Sequence, residues 1–343
     1  MDVRLFNDTP ADAQAWDAYV AKHEGATSDH LWGWRRILSK AFGFRPYYLA
    51  AIDGGSVAGI LPLFHIPRGF GRCALSSIPF GNYGGICADS QVSATALLDQ
   101  AKGLLHRLKG TYLELRHKTG LPGHSLSPQS LYSRFVFPLT ADPALHFQQV
   151  GSSNRNKIKK SARRGLRVVS SLDVDQLYPV HTDTARRQGS PCFPRRYFEG
   201  VVREFSGKVQ IYVAIFEGRA VAYELYLFFK KCMVSQFSGS LSTVWRHYPN
   251  HLLFWHGVEQ GCTLGFNEID FCRSRRDSGS ANFKRELRFV EEPLEYQYYL
   301  AAGREVPQRN PSNPKYQWII RAWQRLPVAV TQLVGPSLVR YLA

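Results

Sequence analysis

Residues 48–64 (YLAAIDGGSVAGILPLF) and 212–228 (YVAIFEGRAVAYELYLF) align without a gap at an offset of 164, and eight of the 17 positions are identical. Each copy is two β-rich runs joined by an acidic–Gly pair, Asp53–Gly54 and Glu217–Gly218, which is the signature of a β-hairpin. Two hairpins this alike point to a repeated domain, and 343 residues suffice for two domains of ordinary size. The alignment predicts that Tyr48 superposes on Tyr212 and Val57 on Val221. It also sets Glu224, a carboxylate among apolar neighbours, against Ile60 of the first copy, a difference that marks either the active copy or an ordinary edge-strand residue.

The flanks repeat as well. Helical stretches are expected at about 11–23 and 30–41 before the first hairpin, and at about 173–188 and 194–204 before the second. A further strand, a helix (91–108; 250–263) and a strand (Tyr112–Arg116; Glu268–Cys272) follow each hairpin. The order predicts an α/β (α+β) chain with mixed sheets, divided into domains at 1–145 and 146–300. Residues 301–343 form a tail, in which a Pro- and Asn-rich connector (303–314) leads to an amphipathic helix over 315–326. Its stripe of Tyr316, Ile319, Ile320, Trp323 and Leu326 is expected either to pack on the protein or to dock on an anionic membrane.

The charge of +16 is concentrated. Residues 151–167 hold seven basic and no acidic side chains, 273–288 six and two, and 304–343 six and one, which together make up the whole surplus. Such patches suit an anionic partner: a phosphorylated molecule, an RNA or an acidic lipid surface. Six cysteines without a CxxC pair read as reduced thiols, and no cluster has metal-ligand spacing. With neither a signal core nor an apolar run of about 18 residues, a cytoplasmic protein without a transmembrane segment is expected.

The richest segment is 268–289, EIDFCRSRRDSGSANFKRELRF. A strand ends near Asp270 and opens into a polar loop with Arg273, Ser274, Arg275, Ser278 and Gly279, followed by Phe283 and Lys284. Residues leaving the carboxyl end of a strand face the crevice of an α/β sheet, and guanidinium groups there suit a polyanion. The run Asn154–Arg167 reads as a basic helix with only Ile158 and Ala162 to bury. Arg155, Lys159, Lys160 and Arg163 are its candidate anion or RNA contacts, the alternative being a solvated linker between domains. The loop SSIPFGNYGG (76–85) is expected to expose Asn82 and Tyr83.

The motif DFCRS…SG…FK, preceded by YPNxLLxW with Asn250, resembles the FemAB-like proteins of exopolysaccharide and exosortase (PEP-CTERM) loci, relatives of the Fem aminoacyltransferases that build peptidoglycan cross-bridges. IPFGNYGG, YLELR (112–116), NRNKIKKSARRGL and NPSNPKY with WQRLP extend the resemblance over nearly the whole chain. Cys272 departs from it, standing where Gly is expected. The resemblance implies two tandem GNAT-like domains and amide formation on an amine of a sugar-nucleotide or lipid-linked cell-envelope precursor. In Fem enzymes the lysine matching Lys284 contacts acceptor phosphates and helps stabilise the reacting centre.

On this reading Asp270 is the candidate base or orienter and Lys284 the partner that binds developing charge. Arg273, Ser274, Arg275, Ser278, Asn82, Tyr83, Glu224 and Asn250 are candidate substrate contacts. No permanently bound cofactor is expected. Neither repeat carries the Q/RxxGxG/A loop that wraps the pyrophosphate of acetyl-CoA, so the expected donor is aminoacyl-tRNA. The alternatives are an acyl-CoA N-acyltransferase and a non-catalytic RNA- or membrane-binding module. Peripheral contact with the inner membrane face would suit a lipid-linked acceptor.

Overall fold

The computed structural model describes residues 1–69, 72–307 and 314–343. The chain forms two compact units: Met1–Tyr132 with Pro293–Arg309 and Arg340–Ala343, and Ser133–Glu292 with Asn310–Val339. The first boundary therefore lies upstream of the expected residue 145. Phe135, Phe137, Leu139 and Val150 are buried in the core of the second unit, and this places the 133–150 segment there. The tail is likewise shared out between the units, and half of the connector expected at 303–314 lies outside the described residues.

The first unit contains β1 (Asp2–Phe6), α1 (Pro10–Lys22), α2 (Gly33–Phe42), β2 (Arg45–Asp53), β3 (Ser56–Pro67), β4 (Cys73–Ser76), β5 (Cys87–Ala88), α3 (Gln91–Arg107) and β6 (Tyr112–Leu115). Thr9 caps α1 and Pro10 opens it, the usual chemistry of a helix start. β7 (Ser127–Pro138) begins in the first unit and ends in the second. The second unit continues with α4 (Pro143–Gln149), α5 (Ser152–Arg163), β8 (Arg167–Ser171), α6 (Val174–Arg187), α7 (Arg195–Glu204), β9 (Val209–Phe216), β10 (Arg219–Phe229), β11 (Cys232–Ser240), α8 (Pro249–Thr263), β12 (Glu268–Arg275) and α9 (Gly279–Glu286). β13 (Val290–Leu300) then returns to the first unit, while α10 (Pro314–Arg325) and α11 (Val328–Leu338) pack in the second.

Strand order in the first unit is β1-β2-β3-β4-β6-β13, with β5 on β3; in the second it is β7-β12-β11-β10-β9-β8. Each unit has a parallel pair among antiparallel neighbours: β4 with β6, and β11 with β12. In each, the helix joining the two parallel strands fills one face of the sheet. Leu97, Leu98, Ala101 and Leu104 of α3 pack on Leu49, Ala51, Leu61 and Leu63. Leu253, Phe254 and Val258 of α8 pack on Tyr212, Ala214, Ala222 and Tyr226.

The hairpins are equivalent, but not in the register that the residue identities suggest. In the first, Asp53 pairs Ser56 and Ile52 pairs Val57; a bulge skips Ala58, and pairing resumes at Ala51 with Gly59. In the second, Phe216 pairs Arg219 and Ile215 pairs Ala220; a bulge skips Val221, and pairing resumes at Ala214 with Ala222. Turn, bulge and ladder coincide at an offset of 163 rather than 164. The turn corners explain the slip. They are Gly54–Gly55 (φ 54° and 82°) and Glu217–Gly218 (φ 49° and 76°), so Glu217 takes the place of Gly54 and not of Asp53. A one-residue shift exchanges sheet faces. Tyr48 accordingly packs on Trp16 and Trp32, while Tyr212 faces Tyr226 and His256 of α8. By ladder register Tyr48 thus corresponds to Ile211, and the residue equivalent to Glu224 is Leu61, fully buried beneath α3.

Candidate active site of the second unit

β11 and β12 pair in parallel only from Cys232 to Val234 against Glu268 to Asp270. Beyond that point their carboxyl-terminal halves have no ladder between them, the place where an open α/β sheet forms a binding crevice. A bulge in β11 skips Gln236 opposite Leu225 and Tyr226 of β10, and bulges of this kind re-aim side chains near functional sites.

Glu224 lies on β10 at the head of this opening, with 4% of its surface exposed. Ser235 Oγ donates to its Oε1 at 2.8 Å. Burial drives its carboxyl up to about 7, against the opposing pull of Ser235, Tyr226 and the Lys284 charge. Tyr226 is fully buried, and its hydroxyl makes no well-formed hydrogen bond, although it is close enough to Glu224 to bias its titration. Gly257 of α8 makes room for it, since a Cβ there would come within 2.3 Å of Tyr226 Oη.

Lys284 enters from α9, whose start is fixed by Ser278: its Oγ accepts from the Ala281 N–H. Lys284 Nζ donates to the Phe271 carbonyl and to Ser274 Oγ at 2.9 Å, and lies 5.2 Å from the centre of the Phe135 ring. Burial lowers its ammonium to about 8, while Cys272, Asp270 and Glu224 resist. Two groups of opposite charge type are thereby both brought close to neutral pH by the same dry surroundings.

Asp270 builds the cradle for this lysine. One oxygen accepts from the Cys272 N–H at 2.7 Å and the other from Arg134 Nε at 2.6 Å. Burial pushes its carboxyl upward and Arg134 opposes the rise. The bond to Cys272 holds that residue in the left-handed region, φ 55°, which turns β12 so that carbonyl oxygens face Lys284. Glycine adopts this conformation without penalty, which accounts for the Gly expected at position 272. Arg134 is itself shared with Glu268 at 2.7 Å and Glu292 at 2.8 Å.

The structure therefore brings Asp270, Ser274, Lys284 and Glu224 into one buried cluster. Arg273 is half-buried on β12, whereas Arg275 pairs with the exposed Asp277 and Ser278 serves α9. Asn250 is exposed on the first turn of α8. Asn82 and Tyr83, expected to be exposed, are instead buried in the first unit. Their N–H groups donate to Asp29 at 2.6 and 2.7 Å, and Arg116 from YLELR donates to the carbonyls of Ile78 and Gly81. That loop lines a cavity of about 370 Å³ in the first unit, beside His30, His117 and Lys118.

The basic helix α5 is not a linker. Asn154, Ile158 and Ser161 bury one side of it, and Asn154 Nδ2 donates to the carbonyls of Val150 and Glu286. Lys159, Lys160 and Arg163 are exposed, Lys159 with its Nζ 5.6 Å from the centre of the Phe147 ring, Arg155 is half-buried, and Ala162 is exposed rather than buried. Sequence reading missed Arg134, Ser235 and Tyr226. Only Arg134 carried a signal, as a lone cation in the strand SRFVFP.

Residues 152–285, which hold the cluster, match the family described as an acetyltransferase (GNAT) domain. The fold of the chain is that of a tandem GNAT protein. It superposes on FemX with a TM-score of 0.66 at 14% identity, over 93% of this chain and all of that one. A tandem GNAT protein of the clavulanic acid biosynthesis pathway gives 0.58 at 12% identity, over 89% and 99% of the two chains. The C-terminal domain assigned to a lysylphosphatidylglycerol synthetase of Agrobacterium fabrum gives 0.56 at 12%, over 85% and 93%. At these identities the likeness is one of fold. No curated protein sequence gives a significant match.

Proposed function

We propose that the protein is an N-acyltransferase that forms an amide on the amine of a phosphorylated or lipid-linked cell-envelope precursor, with Glu224 as proton acceptor. The observation that carries this reading is the replacement of a core leucine by a carboxylate poised near pH 7, coupled to a buried lysine, where two parallel strands part. A base works best when its pKa lies near the working pH. As the amine nitrogen attacks the acyl carbonyl, the N–C bond forms, the amine proton passes to Glu224, and the carbonyl electrons move onto oxygen. Collapse expels the leaving group, which takes the proton back. Nearby positive charge favours the oxyanion. Lys284 supplies it through its field, since its three hydrogens already face the Phe271 and Cys272 carbonyls and Ser274 Oγ. Asp270 and Arg134 position that lysine.

The names of FemX and of the lysylphosphatidylglycerol synthetase support aminoacyl transfer in envelope synthesis, and the exposed cations of α5 offer phosphate contacts for a tRNA donor. The match to an acetyltransferase domain favours a second reading with acetyl-CoA as donor. The test offers purified protein radiolabelled aminoacyl-tRNA or acetyl-CoA with amino-bearing nucleotide sugars and lipid-linked precursors. Label should move onto an acceptor amine with the wild type and not with Glu224→Gln. Transfer by Glu224→Gln at the wild-type rate would remove Glu224 from the chemistry.

A further inference from the structure

Helix α11 is built with its large apolar side chains facing outward. Its inward line is Thr331, Gly335 and, one turn on, Val339, all buried. Gly335 sits so close to Cys192 that an added Cβ would lie 2.9 Å from the Cys192 Sγ, and Cys192 also contacts the Thr331 carbonyl. The outward positions are Val330, Leu333, Val334 and Leu338, spaced as one helical face; Leu333 is 80% exposed. α10 behaves similarly. Trp323 Nε1 donates to the Ser190 carbonyl and Ile320 meets Gly189, so part of the expected stripe does pack on the unit. Trp318, 68% exposed, and Ile319 face solvent alongside Arg321 and Arg325. Docking on the protein's own core has therefore already used one side of both helices and left apolar surface on the other.

We infer that the outward faces of α10 and α11 form a docking surface for an anionic lipid bilayer. Exposed apolar surface of this kind marks an interaction site, and charge selects the partner. Residues 306–343 contain five Lys or Arg and no Asp or Glu. A tryptophan and aliphatic side chains set beside arginines match the interfacial zone of a membrane, where rings and methyl groups enter the acyl boundary and guanidinium groups meet headgroup phosphates. A second copy of the chain would bring Arg321 and Arg325 against their own kind. No described helix is long and apolar enough to cross a membrane, so the helices would lie in the plane of the interface.

The test is co-sedimentation of the full chain with vesicles of phosphatidylcholine alone or of phosphatidylcholine with phosphatidylglycerol. Binding to the anionic vesicles is expected, and it should fall about tenfold or more when phosphatidylglycerol is omitted or salt is raised. Leu333→Gln with Val334→Ser, and separately Arg321→Gln with Arg325→Gln, should weaken it comparably without lowering the melting temperature, because these side chains are exposed. Absence of wild-type binding, or equal binding by the variants, would overturn the proposal. So would a wild-type dimer that Leu333→Gln disperses, since the occupant would then be a second copy.

Discussion

Each unit buries a carboxylate on its sheet, and the two are handled in opposite ways. Glu114 of the first unit would be raised by burial, but Arg116 at 2.9 Å, Tyr298 and Ser76 hold it down to about 2. It is a permanent anion with a structural task, tying YLELR to the 76–85 loop through Arg116. Glu224 of the second unit has a serine, a tyrosine and a lysine whose own charge is weakened, and it stays near 7. At Glu114 three partners together outweigh burial, one of them a guanidinium that does not give up its proton. A desolvated lysine leaves both partners free to exchange one. On the proposed function, the contrast places chemistry in the second unit and architecture in the buried charge of the first.

The sharpest attempt to break this contrast exchanges the two carboxylates for amides. Glu224→Gln should lower the transfer rate by roughly 10²- to 10⁴-fold while leaving the fold intact. Glu114→Gln should leave the chemical step alone and destabilise by about 3–5 kcal/mol, because Arg116 is left buried without its counter-charge. Steady-state kinetics and thermal unfolding of both variants separate the cases, and equal loss of activity in both would erase the distinction.

Arg134→Met should be next in size. It strands Asp270, which is buried, beside Glu268 and Glu292, at a cost of about 3–5 kcal/mol by chemical denaturation. Lys284→Met should cost about 1–3 kcal/mol, because the carbonyl that the ammonium serves loses its donor. Its rate loss should exceed what the remaining folded fraction explains. A variant that melts like wild type would show that the cradle is not built around this lysine. The smallest effect is Cys272→Gly, expected to stabilise by about 0.5–1 kcal/mol, as relief from a left-handed Cys outweighs the added chain entropy. A loss of stability there would mean that the Cys side chain, not the backbone turn, is what position 272 needs.

Much of this was open to sequence reading. The hairpin repeat, the helix between parallel strands and the DFCRS–FK segment carry local signals of turn chemistry and periodicity, and the structure puts them in the expected elements. The register was not, since the acidic–Gly pairs Asp53–Gly54 and Glu217–Gly218 look alike although only Glu217 is a turn corner. One residue of slip hid the comparison of Glu224 with Leu61 and set it beside Ile60 instead. Arg134 and Ser235 reach the cluster from strands distant in sequence, and no local pattern links them to Lys284. The burial of Asn82 and Tyr83 was not legible either, because the partner of their N–H groups, Asp29, lies more than fifty residues away.

The central claim is that Glu224 titrates near neutrality inside the folded second unit, and pH-dependent unfolding tests it without any substrate. Its carboxyl is raised in the fold from 4.5 to about 7. The stabilising contribution of the protonated form is therefore fully present below about 4.5 and is lost as pH rises through about 7. Glu224→Gln removes that loss. The variant should match the wild type at about pH 4 and be more stable by on the order of 1–3 kcal/mol at about pH 8. A stability difference that stays flat across that interval would contradict the account, because Glu224 would then hold one charge state throughout.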